Sequence, residues 1–130
     1  MENATFDELI ARLRRLYKAF NSRDIALVLG QMARDVNWPN AWEGGRVYGH
    51  DGVRDYWTRQ WAVIDSFVEP LRFENRTNGS VAVEVNQTIR LLDGVVLSDD
   101  RLVHVYVFHQ GLITRMDVEA MGATQVRKHA

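Results

Sequence analysis

Apolar residues recur at three- and four-residue intervals in the first half of the chain and at every second residue in the last half. Phe6, Leu9, Ile10, Leu13, Leu16, Tyr17 and Phe20 make one broad stripe with the period of a helix. Thr5-Phe-Asp-Glu8 ahead of it is a capping-box pattern. Asn21-Ser22 ends this helix, and Ser22 or Asp24 can cap a short second one with Ile25, Val28, Leu29 and Met32 as its apolar positions. Val36 to Pro39 reads as a short strand or edge piece, because Pro39 lacks the N–H that a central strand donates. Glu43-Gly-Gly45 is a turn and Arg46 to Tyr48 a second short strand. Gly49 opens a third helix, whose stripe is Val53, Tyr56, Trp57, Gln60, Trp61 and Ile64. Asp51 in its first turn suits the helix dipole.

After Pro70 the pattern changes to alternation. Leu71 to Thr77 is read as a strand ending at Asn78-Gly79. Val81 to Leu92 alternates more strictly, with Val81, Val83, Val85, Gln87, Ile89 and Leu91 on one face. Asp93-Gly94 is a hairpin signal. Val95 to His109 follows, with Ser98-Asp-Asp100 a candidate bulge. Gln110-Gly111 turns into a last strand, Leu112 to Met121, and Gln125 to Ala130 reads as a loose tail. A two-residue Asp93-Gly94 turn pairs Leu91 with Val96, and therefore Val83 with His104. Three helices followed by a long antiparallel sheet is an α+β pattern, here one domain over residues 1–130.

Within that sheet, Leu102 to Phe108 is apolar on both faces, as a central covered strand would be. Its inner face carries His104 and Tyr106, and buried polar groups require partners or a functional reason. The outer face, Val103, Val105 and Val107 with Ile113 beside them, is too apolar for water and predicts a twofold homodimer there. Composition narrows the rest. Sixteen basic and seventeen acidic residues leave a net charge of −1, no footprint for nucleic acid. There is no Cys, hence no disulfide and no thiol nucleophile. No apolar run approaches the ~18 residues of a membrane span, and Met1 to Thr5 has no signal-peptide character. A cytoplasmic protein with no membrane partner is expected.

Four segments carry a resemblance. They are Leu16-Tyr-Lys-Ala-Phe-Asn-Ser-Arg-Asp24, Met32 to Trp38, Gly45 to Trp57 and His104 to Met116. With the order of elements, they make the chain similar to the nuclear transport factor 2-like superfamily, which includes ketosteroid isomerase and the SnoaL-like polyketide cyclases. The resemblance implies a strongly curved sheet around a cone-shaped pocket (a cystatin-like α+β roll), and commonly a dimer through the sheet. It does not imply one chemistry. Ketosteroid isomerase uses an Asp base with a Tyr and a protonated Asp as donors. By motif the base position falls at Asn40, the Tyr at Leu16 beside Tyr17, and the protonated Asp at His104. All three depart, which argues against that mechanism. The acid/base carboxylate of SnoaL-like enzymes falls at Val118, with Asp117 adjacent.

The candidate catalytic residues are therefore His104, as acid/base or electrophile, with Tyr106 and Asn40 as hydrogen-bond donors. Trp38, Trp42, Tyr56, Trp57, Gln87 and Met116 are the candidate ligand-binding residues, with Trp38 and Trp42 at the rim. His104 could equally be a core histidine satisfied by Tyr106, Gln87 or water, and the aromatic residues could be plain core. Asp117 depends on register. A two-residue Gln110-Gly111 turn sets it opposite His104 as a dyad; a three-residue turn sets Met116 there instead. No pair of His has metal-ligand spacing, so no metal or other cofactor is expected. Two readings remain. One is a small-molecule-binding domain, an isomerase, cyclase or dehydratase in its catalytic form, for an apolar ligand carrying a carbonyl or hydroxyl. The other is a non-catalytic binding or scaffold domain with a self-filled pocket.

Overall fold

A computed structural model of the chain describes residues 4–121. The elements are α1 (Phe6–Asn21), α2 (Ile25–Gly30), β1 (Met32–Pro39), β2 (Arg46–Tyr48), α3 (Gly49–Trp61), β3 (Ile64–Asn75), β4 (Val81–Leu91), β5 (Val96–His109) and β6 (Leu112–Ala120). The capping box at the start of α1 is formed. The Glu8 N–H donates to Thr5 Oγ1 at 3.1 Å and the Thr5 N–H to Glu8 Oε1 at 2.8 Å. The expected tail, from Gln125 on, lies outside the described residues.

The strands form one open sheet in the order β2-β1-β6-β5-β4-β3. It is mixed rather than wholly antiparallel, because β1 lies parallel to β6, with Met32 beside Ile113 and Asn37 beside Arg115. Two strands are longer than their patterns predict. β1 starts at Met32, which the helical period had assigned to the second helix. Exposed Arg34 and Asp35 interrupt its alternation, and its register against β6 shifts between Met32 and Asn37. β3 starts at Ile64 and runs through Pro70. Proline is tolerated there because β3 is an edge strand and the register shifts beside it, between Pro70 and Arg72.

Two turns and two bulges set the inner face. Leu92-Asp93-Gly94 is a three-residue loop, with the Leu91 N–H donating to Val95 O at 2.8 Å and Gly94 at φ +97°. That moves the register by one from the expected Leu91–Val96 pair. Leu97 then bulges, Ile89 pairs Ser98, and the shift is cancelled, so Val83 faces His104 after all. Gln110-Gly111 is a two-residue turn with both φ positive, +52° and +81°, the signature of type I′. Thr114 then bulges, its Oγ1 donating to Val107 O at 3.1 Å. The result is Met116 opposite Tyr106, Val118 opposite His104 and Asp117 opposite Val105 on the outer face.

The core joins Leu13, Leu16 and Tyr17 of α1 and Val53, Tyr56 and Trp57 of α3 to the inward side chains of the sheet. The outer face is less apolar than its valines suggest. Ile113 turns inward to the core, at 1% exposure, and Val105 is already covered within one chain. Ion pairs cross that face: Arg76–Glu119, Arg101–Glu84 and Arg46–Asp117. Among the described residues no helix is long and apolar enough to cross a membrane.

Arg46 ties β2 to β1 and β6. Its guanidinium donates to Asn37 Oδ1 (2.6 Å), Asn37 O (3.1 Å), Asp117 Oδ1 (2.9 Å) and Met116 O (2.7 Å). Arg46→Ala should lower the urea-unfolding free energy by roughly 2 kcal/mol, with Arg46→Lys recovering little of it because an ammonium cannot reproduce the fork. Gln110 has the opposite sign. Gln110→Asn should stabilise by about 0.5 kcal/mol, since Asn accepts the left-handed conformation of this turn more readily. An unchanged or lower midpoint for that variant would contradict the turn assignment.

Candidate functional site

Tyr17 of α1 projects from the helix onto the inner face of β5, where His104 and Tyr106 stand two residues apart. All three are at least 95% buried. The Tyr106 hydroxyl donates to Tyr17 Oη at 2.8 Å, and Tyr17 Oη lies 2.9 Å from His104 Nδ1. With its oxygen accepting from Tyr106, the Tyr17 hydroxyl needs an acceptor of its own, and we assign it as the donor of the hydrogen bond to Nδ1. The proton of the neutral imidazole then sits on Nε2. Among the described residues no protein group bonds Nε2, and His104 lines a cavity of about 70 Å³. The Tyr17 and His104 rings also stack, 5.9 Å apart at 19°.

Burial sets the charge state. Desolvation pulls the His104 imidazole down to about 4, and it raises both tyrosine hydroxyls well above their ordinary range. No Asp, Glu, Lys or Arg lines the cavity. At neutral pH the chain Tyr106–Tyr17–His104 is uncharged, and its open end is an Nε2–H donor. Such a group can bind or polarise a carbonyl or hydroxyl. It is a weak general base, since its proton affinity lies far below neutrality.

Most of the expected ligand-binding residues do meet here. Trp38 of β1, Tyr56 and Trp57 of α3, Gln87 of β4 and Met116 of β6 all line the cavity. Trp38 and Trp57 meet edge to face at 5.7 Å. Asn40 and Trp42 do not line it. Asn40 closes the loop between β1 and β2: its Nδ2 donates to Glu43 Oε1 and its Oδ1 accepts from the Glu43 N–H. Both ends of that amide are engaged in closing the loop, and the residue stands outside the cavity lining. The Trp42 ring is 43% exposed, and only its backbone N–H reaches the site, donating to the Tyr56 hydroxyl. Asp117 pairs with Arg46 and Arg115 on the outer face, which excludes the His–Asp dyad.

Three functional candidates were not in the expected set. Tyr17, not Tyr106, Gln87 or a water, is the partner of His104. Gln60 and Ser66 also line the cavity and are buried. The signal for Tyr17 and Gln60 was present: each is a polar-tipped residue on an otherwise apolar helical stripe. Ser66 gave none, because its strand was not recognised.

An α+β domain with an aromatic-lined cavity and one buried polar chain is what this geometry defines. The chain belongs to the SnoaL-like domain family, of the nuclear transport factor 2-like superfamily, whose model matches residues 13–116. No curated protein sequence matches it. Three solved structures share the fold. TerC, co-crystallised with polyporic acid, is 24% identical, with a TM-score of 0.76 over 94% of this chain and 95% of that one. A Mycobacterium tuberculosis protein in complex with estradiol-17β-hemisuccinate is 20% identical, with a TM-score of 0.72 over 85% and 92%. A cystatin-fold protein from Novosphingobium aromaticivorans is 18% identical, with a TM-score of 0.71 over 85% and 96%.

The charge state is testable through stability. In the unfolded chain the imidazole titrates near 6.5, and in the folded protein near 4. Between those values the unfolded state binds more protons. Stability should therefore fall as pH drops from about 6.5 to 4, by on the order of 3 kcal/mol, and be flat in this group above 6.5. Urea midpoints across that window, compared with those of His104→Phe, measure it. Equal slopes in the two proteins would refute a neutral, desolvated His104.

Proposed function

We propose that this protein is a small-molecule-binding domain whose cavity takes an uncharged, largely apolar ligand by a carbonyl or hydroxyl oxygen. The observation that carries this reading is His104 Nε2, left without a protein partner on a residue that lines the cavity while Nδ1 is engaged by the Tyr106–Tyr17 chain, the tautomer assigned above making it an Nε2–H donor. His104 binds and polarises that oxygen as an electrophile, and Tyr17 and Tyr106 hold its tautomer. Trp38, Tyr56, Trp57 and Met116 form the apolar walls of the cone. A reaction at this site belongs to the isomerase, cyclase or dehydratase type, in which a donor stabilises charge growing on oxygen. Val118 stands at the matching place for the carboxylate of SnoaL-like enzymes, and no carboxylate lines the cavity, so the reaction rests on the donor rather than on a strong base. Solved structures of this fold with polyporic acid and with estradiol-17β-hemisuccinate support a small organic ligand with an apolar body, though not its charge or size. The exposed Val107 supports a homodimer across the outer sheet face as part of the same proposal.

One observation favours a second reading, a non-catalytic domain whose cone is filled by its own side chains. The cavity of about 70 Å³ is smaller than the ~150 Å³ that accommodates benzene. Ligand entry therefore moves wall side chains outward. A thermal-shift panel of neutral aryl ketones, phenols and steroids on wild type and His104→Phe separates the two readings. A ligand at ~100 times its Kd adds about 2.7 kcal/mol, a rise of roughly 3–8 °C in Tm. The binding reading expects such a rise in wild type and a smaller one in His104→Phe. A rise of equal size in both would remove His104 from the site. A variant more stable than wild type, with no ligand shifting either protein, would favour the filled cone.

A further inference from the structure

The cavity has a second polar end. Ser66 is 2% exposed, and its Oγ has no hydrogen-bond partner although it lines the cavity. Gln87 lines the same wall, and its amide bonds no side chain or backbone group among the described residues. The two are close by register. Val68 pairs Gln87 and Ser66 pairs Ile89, which sets both on the inward side of adjoining strands β3 and β4. Gln60 of α3 lines this region as well. Its Nε2 donates to the Tyr56 hydroxyl at 3.0 Å, which leaves its Oε1 as an acceptor. A buried hydroxyl without a partner destabilises a folded protein, so its presence on a cavity wall points to a partner within the cavity, a ligand atom or a water that a ligand hydroxyl would replace.

This end is separate from the His104 end. His104 pairs Val83 on β4, four residues before Gln87, a backbone span of roughly 13 Å. Apolar side chains, Phe20, Trp57 and Val68 among them, line the same cavity. The lining holds no charge at either end, so an ionised carboxylate, phosphate or ammonium would be desolvated there with no counter-charge.

Resting on the binding function proposed above, we infer that the ligand is a slender, neutral molecule with polar groups at both ends, built on one ring or a short chain. An acceptor oxygen, a ketone or aldehyde, meets the His104 Nε2–H. A hydroxyl at the far end meets Ser66 Oγ and the Gln87 and Gln60 amides. A fused polycycle would need the walls to move further than a single ring does.

The test compares 4-hydroxyacetophenone with 4-methylacetophenone, which has the same outline but no far-end hydroxyl. Affinities are measured by calorimetry on wild type, Ser66→Ala/Gln87→Leu and His104→Phe, with estradiol as the polycyclic probe. The hydroxyl compound should bind wild type about 10-fold tighter than the methyl compound, because the methyl leaves polar groups unpaired. That preference should vanish in Ser66→Ala/Gln87→Leu, whereas His104→Phe should weaken both compounds together and keep their ratio. Ser66→Ala alone should leave the ligand-free Tm unchanged or raise it, which a structural role for the hydroxyl would not. Equal preference in wild type and the double variant, or a fall in Tm on Ser66→Ala, would overturn the second polar end. Binding of estradiol with neither acetophenone would overturn the slender ligand and leave the binding function standing. Binding of none of the three would overturn both.

Discussion

Everything at this site depends on one hydrogen-bonded chain inside the core. A histidine on the covered face of a central strand must be either charged with a counter-ion or neutral with partners. Here the counter-ion is absent and the partner arrives from another layer. Tyr17 comes from α1, nearly ninety positions away in sequence. It can donate to Nδ1 because Tyr106, one inward position along β5, donates to Tyr17 in turn. The chain thus fixes three things together: how α1 sits on the sheet, which nitrogen carries the proton, and where that proton points.

Burial keeps the histidine neutral, and two bulges decide which residues face it. In β5, the extra residue in the loop at Gly94 and the bulge at Leu97 cancel, so His104 stays opposite Val83. In β6 the compact Gln110-Gly111 turn would alone have brought Asp117 opposite His104. The bulge at Thr114 slips the strand by one and substitutes Val118. A carboxylate beside the imidazole would raise its proton affinity, whereas an apolar neighbour adds to desolvation. The outward position of Asp117 is held by Arg46 and Arg115. One residue of register therefore separates a basic dyad from a neutral donor, and the ion pairs of the outer face stabilise the second.

Much of this was legible in the sequence, for identifiable reasons. The α1 and α3 stripes, the strand pattern of β4 and the doubly apolar β5 each carry a clear period, and they place His104, Tyr106, Gln87, Trp57 and Tyr56 toward one interior. Asn40 was misplaced because position within a loop does not say whether an amide faces a ligand or closes the loop on itself, and Glu43 three residues on completes the closure. Trp42 was misplaced because an aromatic residue beside a site is not thereby in it. The starts of β1 and β3 were hidden by signals true of other contexts. Ile64 also fits a helical stripe, and Pro70 reads as a breaker although an edge strand with a bulge accepts it. Ser66 was lost with the start of β3. The bulges were the hardest to read, since no residue type marks Leu97 or Thr114.

The same features limit the chemistry more tightly than the fold does. The superfamily fold admits many reactions, but a reaction needs groups of suitable charge and proton affinity at the cavity wall. This wall has phenols held protonated by burial, two amides, one free hydroxyl and an imidazole that stays neutral. None of these removes a proton strongly at neutral pH. All of them can donate to, or accept from, an uncharged oxygen. In a desolvated site such dipoles interact more strongly than they would in water, and they do so without counter-charges. On the proposed reading, this interior recognises the position of neutral oxygen atoms on an apolar body. Catalysis under that proposal would grow out of the same recognition, with His104 stabilising charge on the oxygen it is proposed to hold.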